Sequence, residues 1–194
     1  MAKKDLLIVG SGLTARQLKI FYTATPEDKI KTRPAKGGDT WKYVSGSYVK
    51  QVLNALFGVE WTFEIETSVK DAFEVAKVTG QCVVKGTLTV PIGDKLVRRS
   101  QFGRCDVKFK TEWDDTAKKK IVVINEMTGQ AEPLDFGNDL KGAGTDALKK
   151  CANEIGLFMD IYSNDDFIEV QVADVGATED QKDAIVNHHV SNNS

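Results

Sequence analysis

The chain has 194 residues, 41% of them hydrophobic, with 26 Lys or Arg against 28 Asp or Glu and a net charge of −2. That length supports one sizeable core rather than two, so a single domain with a tail is expected. No apolar run approaches the roughly 20 residues of a membrane-spanning helix, and the apolar part of the first residues is too short for a signal peptide, so no membrane partner and an intracellular location are expected.

The first recognisable segment, Leu6-Leu-Ile-Val-Gly10-Ser-Gly12-Leu-Thr-Ala15, resembles the glycine fingerprint that lets a pyrophosphate approach a helix N-terminus. That site needs a second parallel strand ending in an acid, whereas the sequence there is Lys29-Ile-Lys-Thr-Arg33-Pro. Gly10 and Gly12 are therefore read as a flexible lead into a short helix over 14 to 24, and a dinucleotide-dependent oxidoreductase is the enzyme-class alternative. Thr25-Pro26-Glu27-Asp28 follows, with Pro placed at a second helical start and the acids in its first turn.

Next comes Arg33-Pro-Ala-Lys-Gly-Gly-Asp-Thr-Trp-Lys-Tyr43-Val-Ser-Gly46, which sets cations, paired glycines and two aromatics ahead of an amphipathic helix. Between Lys29 and Lys50 there are six Lys or Arg (29, 31, 33, 36, 42 and 50) and one acid, Asp39. Arg33, Lys36 and Lys42 suit phosphates. Trp41 and Tyr43, two apart and so on one face if extended, suit stacking on unpaired bases. The same composition also fits a solvated basic loop with two core aromatics. Charge along the chain favours a polyanion: residues 1 to 150 hold 25 cations and 19 acids, whereas residues 151 to 194 hold one cation, Lys182, and nine acids.

Ser45 or Ser47 then caps a helix in which Tyr48 or Val49, Val52, Leu53, Leu56 and Phe57 recur at helical spacing, and Gly58 stops it. From Glu60 the period changes to two, with Trp61, Phe63 and Ile65 alternating against polar residues. Three more strands are expected, over Gln81 to Val90, Leu96 to Lys110 and Lys120 to Asn125. The joining signals Ile92 to Lys95 and Trp113 to Lys118 have hairpin length, so the sheet is expected to be an antiparallel meander with no room for a crossover helix between those strands.

Residues from about Leu140 to Phe158 return to helix, with Ala143, Ala147, Leu148, Cys151, Ala152 and Ile155 as its apolar stripe. Lys141, Thr145, Lys149 and Asn153 lie along another side, bordered by Lys150; these lysines suit an anionic ligand or simple solubility. Beyond Asp174 the chain is polar and acidic and reads as a flexible tail. Cys82, Cys105 and Cys151 are widely spaced and read as reduced core residues, and four ligands at zinc spacing are lacking. His188 and His189 sit in a polar stretch where no catalytic triad can be assembled. No ATP-cradling glycine loop is present.

Three blocks, in order, resemble the Rad fifty-two family of single-strand annealing proteins in the compact form carried by phages and bacteria. They are Arg33 through Gly58 with Trp61, the short Gln101-Phe102-Gly103, and Lys141 through Gly156, which is similar to the family's Asp-x-Leu-Lys-Arg helix. The resemblance implies an α+β fold, a small antiparallel sheet packed by helices and assembled side by side into a ring or filament, with single-stranded DNA in a basic groove. It implies that Arg33 is the groove arginine, Tyr43 the aromatic ten residues on, Lys141 a groove lysine, and Lys149 and Lys150 the paired helix cations. Asn153 completes the implied DNA-binding set, at a position where relatives can carry another cation. Lys77, Lys85, Arg98 and Arg99 are candidates, on charge alone, for a second DNA site.

The expected organisation is thus a lead and helix over 1–28, a DNA-binding and oligomerisation domain over 29–173, and an acidic tail over 174–194. The expected activity is ATP-independent binding and annealing of single-stranded DNA in recombination and repair, with no catalytic residue, metal or cofactor. A DNA end protector that does not anneal is the alternative within the binding class. Expected partners are single-stranded DNA and further copies of the chain, with a single-strand-binding protein or an exonuclease as candidates. The resemblance places the protein in the cytoplasm of a bacterium or phage-infected host, and without the long C-terminal region of eukaryotic members.

Overall fold

The computed structural model describes residues 12–35, 37, 38 and 40–162. Gly10, Lys36, the expected tail after Asp174 and both histidines lie outside the described residues. The described chain is α+β: helix α1 (Ala15–Tyr22), a 3₁₀ turn (Glu27–Lys29), strands β1 (Ile30–Pro34) and β2 (Thr40–Val44), helix α2 (Gly46–Phe57), β3 (Thr62–Ile65), α3 (Val69–Thr79), β4 (Gln81–Ile92), β5 (Lys95–Asp106), β6 (Thr111–Asp114), β7 (Lys119–Val122), α4 (Phe136–Glu154) and α5 (Met159–Tyr162). It falls into two compact units. The first takes residues up to Thr62, Thr89–Arg98 and the chain from Ala152; the second takes Phe63–Leu88 and Arg99–Cys151.

In the first unit, α1 starts where expected because Thr14 and Gln17 form a reciprocal capping box, the Thr14 side chain accepting from the Gln17 N–H. The Gln17 amide also donates to the Leu56 carbonyl at 3.0 Å, satisfying an acceptor in the last turn of α2. Gly12 is built into the fold: its φ is +69°, and a Cβ there would lie 3.0 Å from the Ile92 side chain. Pro26 opens only a single 3₁₀ turn. Helix α2 follows the sequence closely, with the Ser45 hydroxyl accepting from the Tyr48 N–H, Gly58 closing it at φ +62°, and Val49, Val52, Leu53, Leu56 and Phe57 buried. Lys50 and Asn54 face solvent.

The basic segment is a hairpin rather than a loop. Strands β1 and β2 pair antiparallel in the register Ile30↔Val44, Lys31↔Tyr43, Thr32↔Lys42, Arg33↔Trp41 and Pro34↔Thr40. Gly37 and Gly38 lie at its tip with φ of +97° and +93°, a backbone that glycine alone adopts at little cost.

Strands β3, β4 and β5 form a three-stranded sheet in that order, and within the second unit β6 pairs with β7 in a separate two-stranded sheet. The expected single meander is therefore divided. Strand β5 ends at Asp106, four residues short of the expected Lys110, because the chain beyond it changes partner: the Lys110 N–H donates to the Glu132 carbonyl and the Leu134 N–H to that of Lys108. Trp113 and Asp114, expected in a turn, belong to β6. The turn itself is Asp115–Lys118, organised by the Asp114 carboxylate, which accepts from the Thr116 and Ala117 N–H groups.

Helix α3, between β3 and β4, was not anticipated. Ser68 caps it, Gly80 ends it in the left-handed conformation, and Ala72 and Ala76 are its buried residues. Helix α4 begins four residues before the expected Leu140, where the Asp135 carboxylate accepts the Asn138 N–H at 2.9 Å. Its stripe of Ala143, Ala147, Leu148, Cys151 and Ala152 is buried, and all three cysteines are free thiols. No described helix is long and apolar enough to cross a membrane.

Candidate nucleic-acid interface

Directly opposite residues of an antiparallel pair project to the same face, and successive residues alternate. The β1–β2 register therefore places Lys31, Arg33, Trp41 and Tyr43 on one face, and Ile30, Thr32, Lys42 and Val44 on the other. Val44 is fully buried, which fixes the second face as the inward one at the hairpin base. On the first face, the Arg33 guanidinium carbon lies 5.6 Å from the Trp41 ring centroid and 5.9 Å from that of Tyr43. Both distances fall within cation–π range. Trp41 is nonetheless 57% exposed, so much of the indole faces solvent. A planar cation held beside two aromatic rings offers a strand one group for a phosphate and flat surfaces for bases.

The hairpin base is tied down within the same unit. The Thr25 N–H and hydroxyl donate to the two carboxylate oxygens of Asp160, and the Val44 N–H donates to the Tyr162 hydroxyl at 3.4 Å. Because Ser45 caps α2 immediately after β2, the strand carrying Trp41 and Tyr43 runs directly into an anchored helix. Lys42 emerges on the opposite face from the two aromatics.

In the second unit, Lys141 and Lys150 are exposed on α4 and Lys149 is half-buried. The Lys150 ammonium is already engaged: it lies 3.0 Å from Asp146 Oδ2 and donates to the Phe102 carbonyl at 2.9 Å. Asp146 also accepts the Arg104 N–H at 3.0 Å. Between those two backbone groups lies Gly103, where a Cβ would be 2.0 Å from the Ala143 carbonyl oxygen and 2.3 Å from the Ala147 nitrogen. The second and third blocks of the sequence resemblance are thus one packing unit, with α4 resting on bare backbone at Gly103.

Asn153, in the first unit, turns its amide onto the Leu157 carbonyl at 3.3 Å and toward Met159 Sδ at 3.4 Å, closing the end of α4. Of the residues considered for a second DNA site, Lys85 is paired with Glu66 and Lys77 with Glu74, each at 2.6 Å. Two features lay beyond sequence reasoning: the cross-strand position of Arg33 relative to Trp41, which depends on the length of the hairpin tip, and the pairing of Lys150 with Phe102. The i, i+4 spacing of Asp146 and Lys150 is a signal that could have found the ion pair.

Compared with known proteins, residues 15–123 match the family model described as Rad52/22 family double-strand break repair protein. That span holds the whole β1–β2 hairpin and Phe102-Gly103, and it stops before α4. No curated protein matches the chain.

Proposed function

The chain belongs to the Rad52/22 family of double-strand break repair proteins, and on that premise we propose that it binds single-stranded DNA and anneals complementary strands without ATP, as a homo-oligomer of many copies. The observation that carries this reading is the solvent-facing set of Arg33, Trp41 and Tyr43 on the β1–β2 hairpin. Arg33 takes a phosphate. Trp41 and Tyr43 give bases or sugars a flat surface that is indifferent to sequence. Lys31 adds charge to the same face, Lys36 and Lys42 add charge to the hairpin as a whole, and Lys141, Lys149 and Lys150 provide phosphate contacts from α4.

Annealing on such a surface needs no covalent step. Cations cancel the repulsion between two polyanions, the backbone is held, and bases left free sample a complement until pairing drives the reaction. One chain of this size contacts only a short piece of strand, so a ring or filament of copies supplies the continuous track, and residues 29–173 carry both binding and assembly.

Titrating a fluorescein-labelled dT oligonucleotide at several salt concentrations tests the binding. The expected result is sequence-independent affinity that falls with salt by about 0.7 log units per log unit of salt for each phosphate contact. Affinity indifferent to salt contradicts it. Light scattering tests the assembly: a chain that stays monomeric at micromolar concentration with DNA present contradicts the oligomer.

A further inference from the structure

Asp146 and Lys150 lie one turn apart on α4, and both reach the same stretch of β5. Asp146 Oδ2 holds two donors, the Arg104 N–H and the Lys150 ammonium, each at 3.0 Å, while the ammonium also donates to the Phe102 carbonyl at 2.9 Å. The acid and the base thereby satisfy one donor and one acceptor on either side of Gly103. Both side chains keep contact with water, Lys150 45% exposed and Asp146 36%. An anion arriving from solvent can reach the ammonium.

We propose that Asp146 stands in for the DNA at Lys150: it pairs with the Lys150 ammonium beside β5 and fills the place that a phosphate oxygen takes when a strand binds. The inference rests on the single-strand binding reading above. An ammonium has three donors, so exchanging the carboxylate for a phosphate leaves its bond to Phe102 in place. Asp146 keeps the Arg104 N–H, and no backbone group of β5 is orphaned by the exchange. The displaced carboxylate then stands beside a phosphate of like charge, which tempers affinity and makes Asp146 an internal competitor for the lysine.

The test compares the full chain with Asp146→Asn, Lys150→Ala and the double variant, by anisotropy of a labelled dT oligonucleotide over a range of salt, with melting temperature as the check on folding. Asn retains an oxygen for the Arg104 N–H and gives up the charge. Asp146→Asn is expected to tighten binding about two- to fivefold at low salt, to steepen the salt dependence by up to about 0.7, and to lose that gain in the Lys150→Ala background. Binding no tighter than wild type, or a gain that survives without Lys150, overturns the proposal and leaves Asp146 as a staple between helix and strand. Asp146→Ser carries the same comparison if the Asn variant does not fold. Wild type that fails to bind the oligonucleotide overturns the function itself, whereas wild type that binds beside an unchanged Asp146→Asn overturns only this inference.

Discussion

Thr25 offers its N–H and its hydroxyl to the two carboxylate oxygens of Asp160, at 2.7 and 2.9 Å, across 135 positions of sequence. Thr25 is buried to 9% exposure, so water cannot readily replace that acceptor. With the bond from Val44 to Tyr162, the chain on both sides of the β1–β2 hairpin is held by α5, a helix of four residues.

Asp160→Ala is accordingly expected to cost about 1–3 kcal/mol, since it strands two donors in a poorly hydrated place. For a chain of this length each kcal/mol lowers Tm by about 2–4 °C. Hydrogen exchange is expected to accelerate over residues 30–44 in the same variant. An unchanged melting temperature would show that the clamp does not hold the hairpin.

Arg33 and Trp41 are expected to separate charge from stacking. Arg33→Ala removes a phosphate contact and flattens the salt dependence of DNA binding by about 0.7. Arg33→Lys keeps that slope but loses the planar contact with the two rings, so its affinity falls between those of wild type and the alanine variant. Trp41→Ala is expected to cost about 1–3 kcal/mol of binding with no change of slope. Titrations of the three variants at matched salt check this, and a slope that changes with Trp41 but not with Arg33 contradicts the assignment.

Gly103→Ala is expected to be far more damaging than Gly86→Ala. At Gly103 the new methyl meets backbone of α4, 2.0 Å from the Ala143 oxygen, and the helix itself must move; at Gly86 it meets side chains only, the end of the Phe63 ring at 2.5 Å and the Ala147 Cβ at 3.0 Å. Overpacking costs about 1–3 kcal/mol and occasionally more, and Gly103→Ala belongs at or beyond the upper end. Urea midpoints of the two variants check the order, and near-equal losses would contradict the close approach of α4 to β5.

Burial pushes the Cys82 and Cys105 thiols above their ordinary value of 9.0, and the charge of Asp139 adds to the effect on both. A raised thiol value means that the folded state holds its proton more tightly than the unfolded chain. The resulting stabilisation is full below about pH 9 and is lost as pH rises through the folded values. Urea midpoints measured from pH 7 to pH 10.5 are expected to fall only in the alkaline part of that range. Alkylation at pH 7.5 is expected to reach half-buried Cys105 before fully buried Cys82, and the reverse order would contradict the packing.

Helix α2 could be read from the sequence because three independent signals agree on it: a serine cap, apolar residues at helical spacing, and a terminal glycine. Helix α3 has the first and last of these, in Ser68 and Gly80, but its apolar stripe is faint. The buried positions are two alanines, Ala72 and Ala76, beside half-buried Phe73, while Val69, Val75 and Val78 are exposed and blur the helical period. The hairpin is hidden for a related reason, since Val44 is the one buried residue within β1 and β2 and no alternation is visible along either strand. The sequence pattern carries β5 past its observed end because Val107 is buried beyond Asp106, so the period of two persists past the point where pairing stops. At the site, the two-residue spacing of Trp41 and Tyr43 was enough to put them on one face. The engagement of Lys150 with Phe102 depends on a contact across 48 positions, which no local pattern encodes.

Mixing two complementary oligonucleotides labelled as a fluorescence donor and acceptor, with the full chain and without ATP, measures annealing directly. The expected result is pairing faster than the spontaneous rate, slowed by Arg33→Ala and by high salt. Pairing at the spontaneous rate, from protein shown in the same buffer to coat the single strands, would contradict annealing and leave a protector of DNA ends.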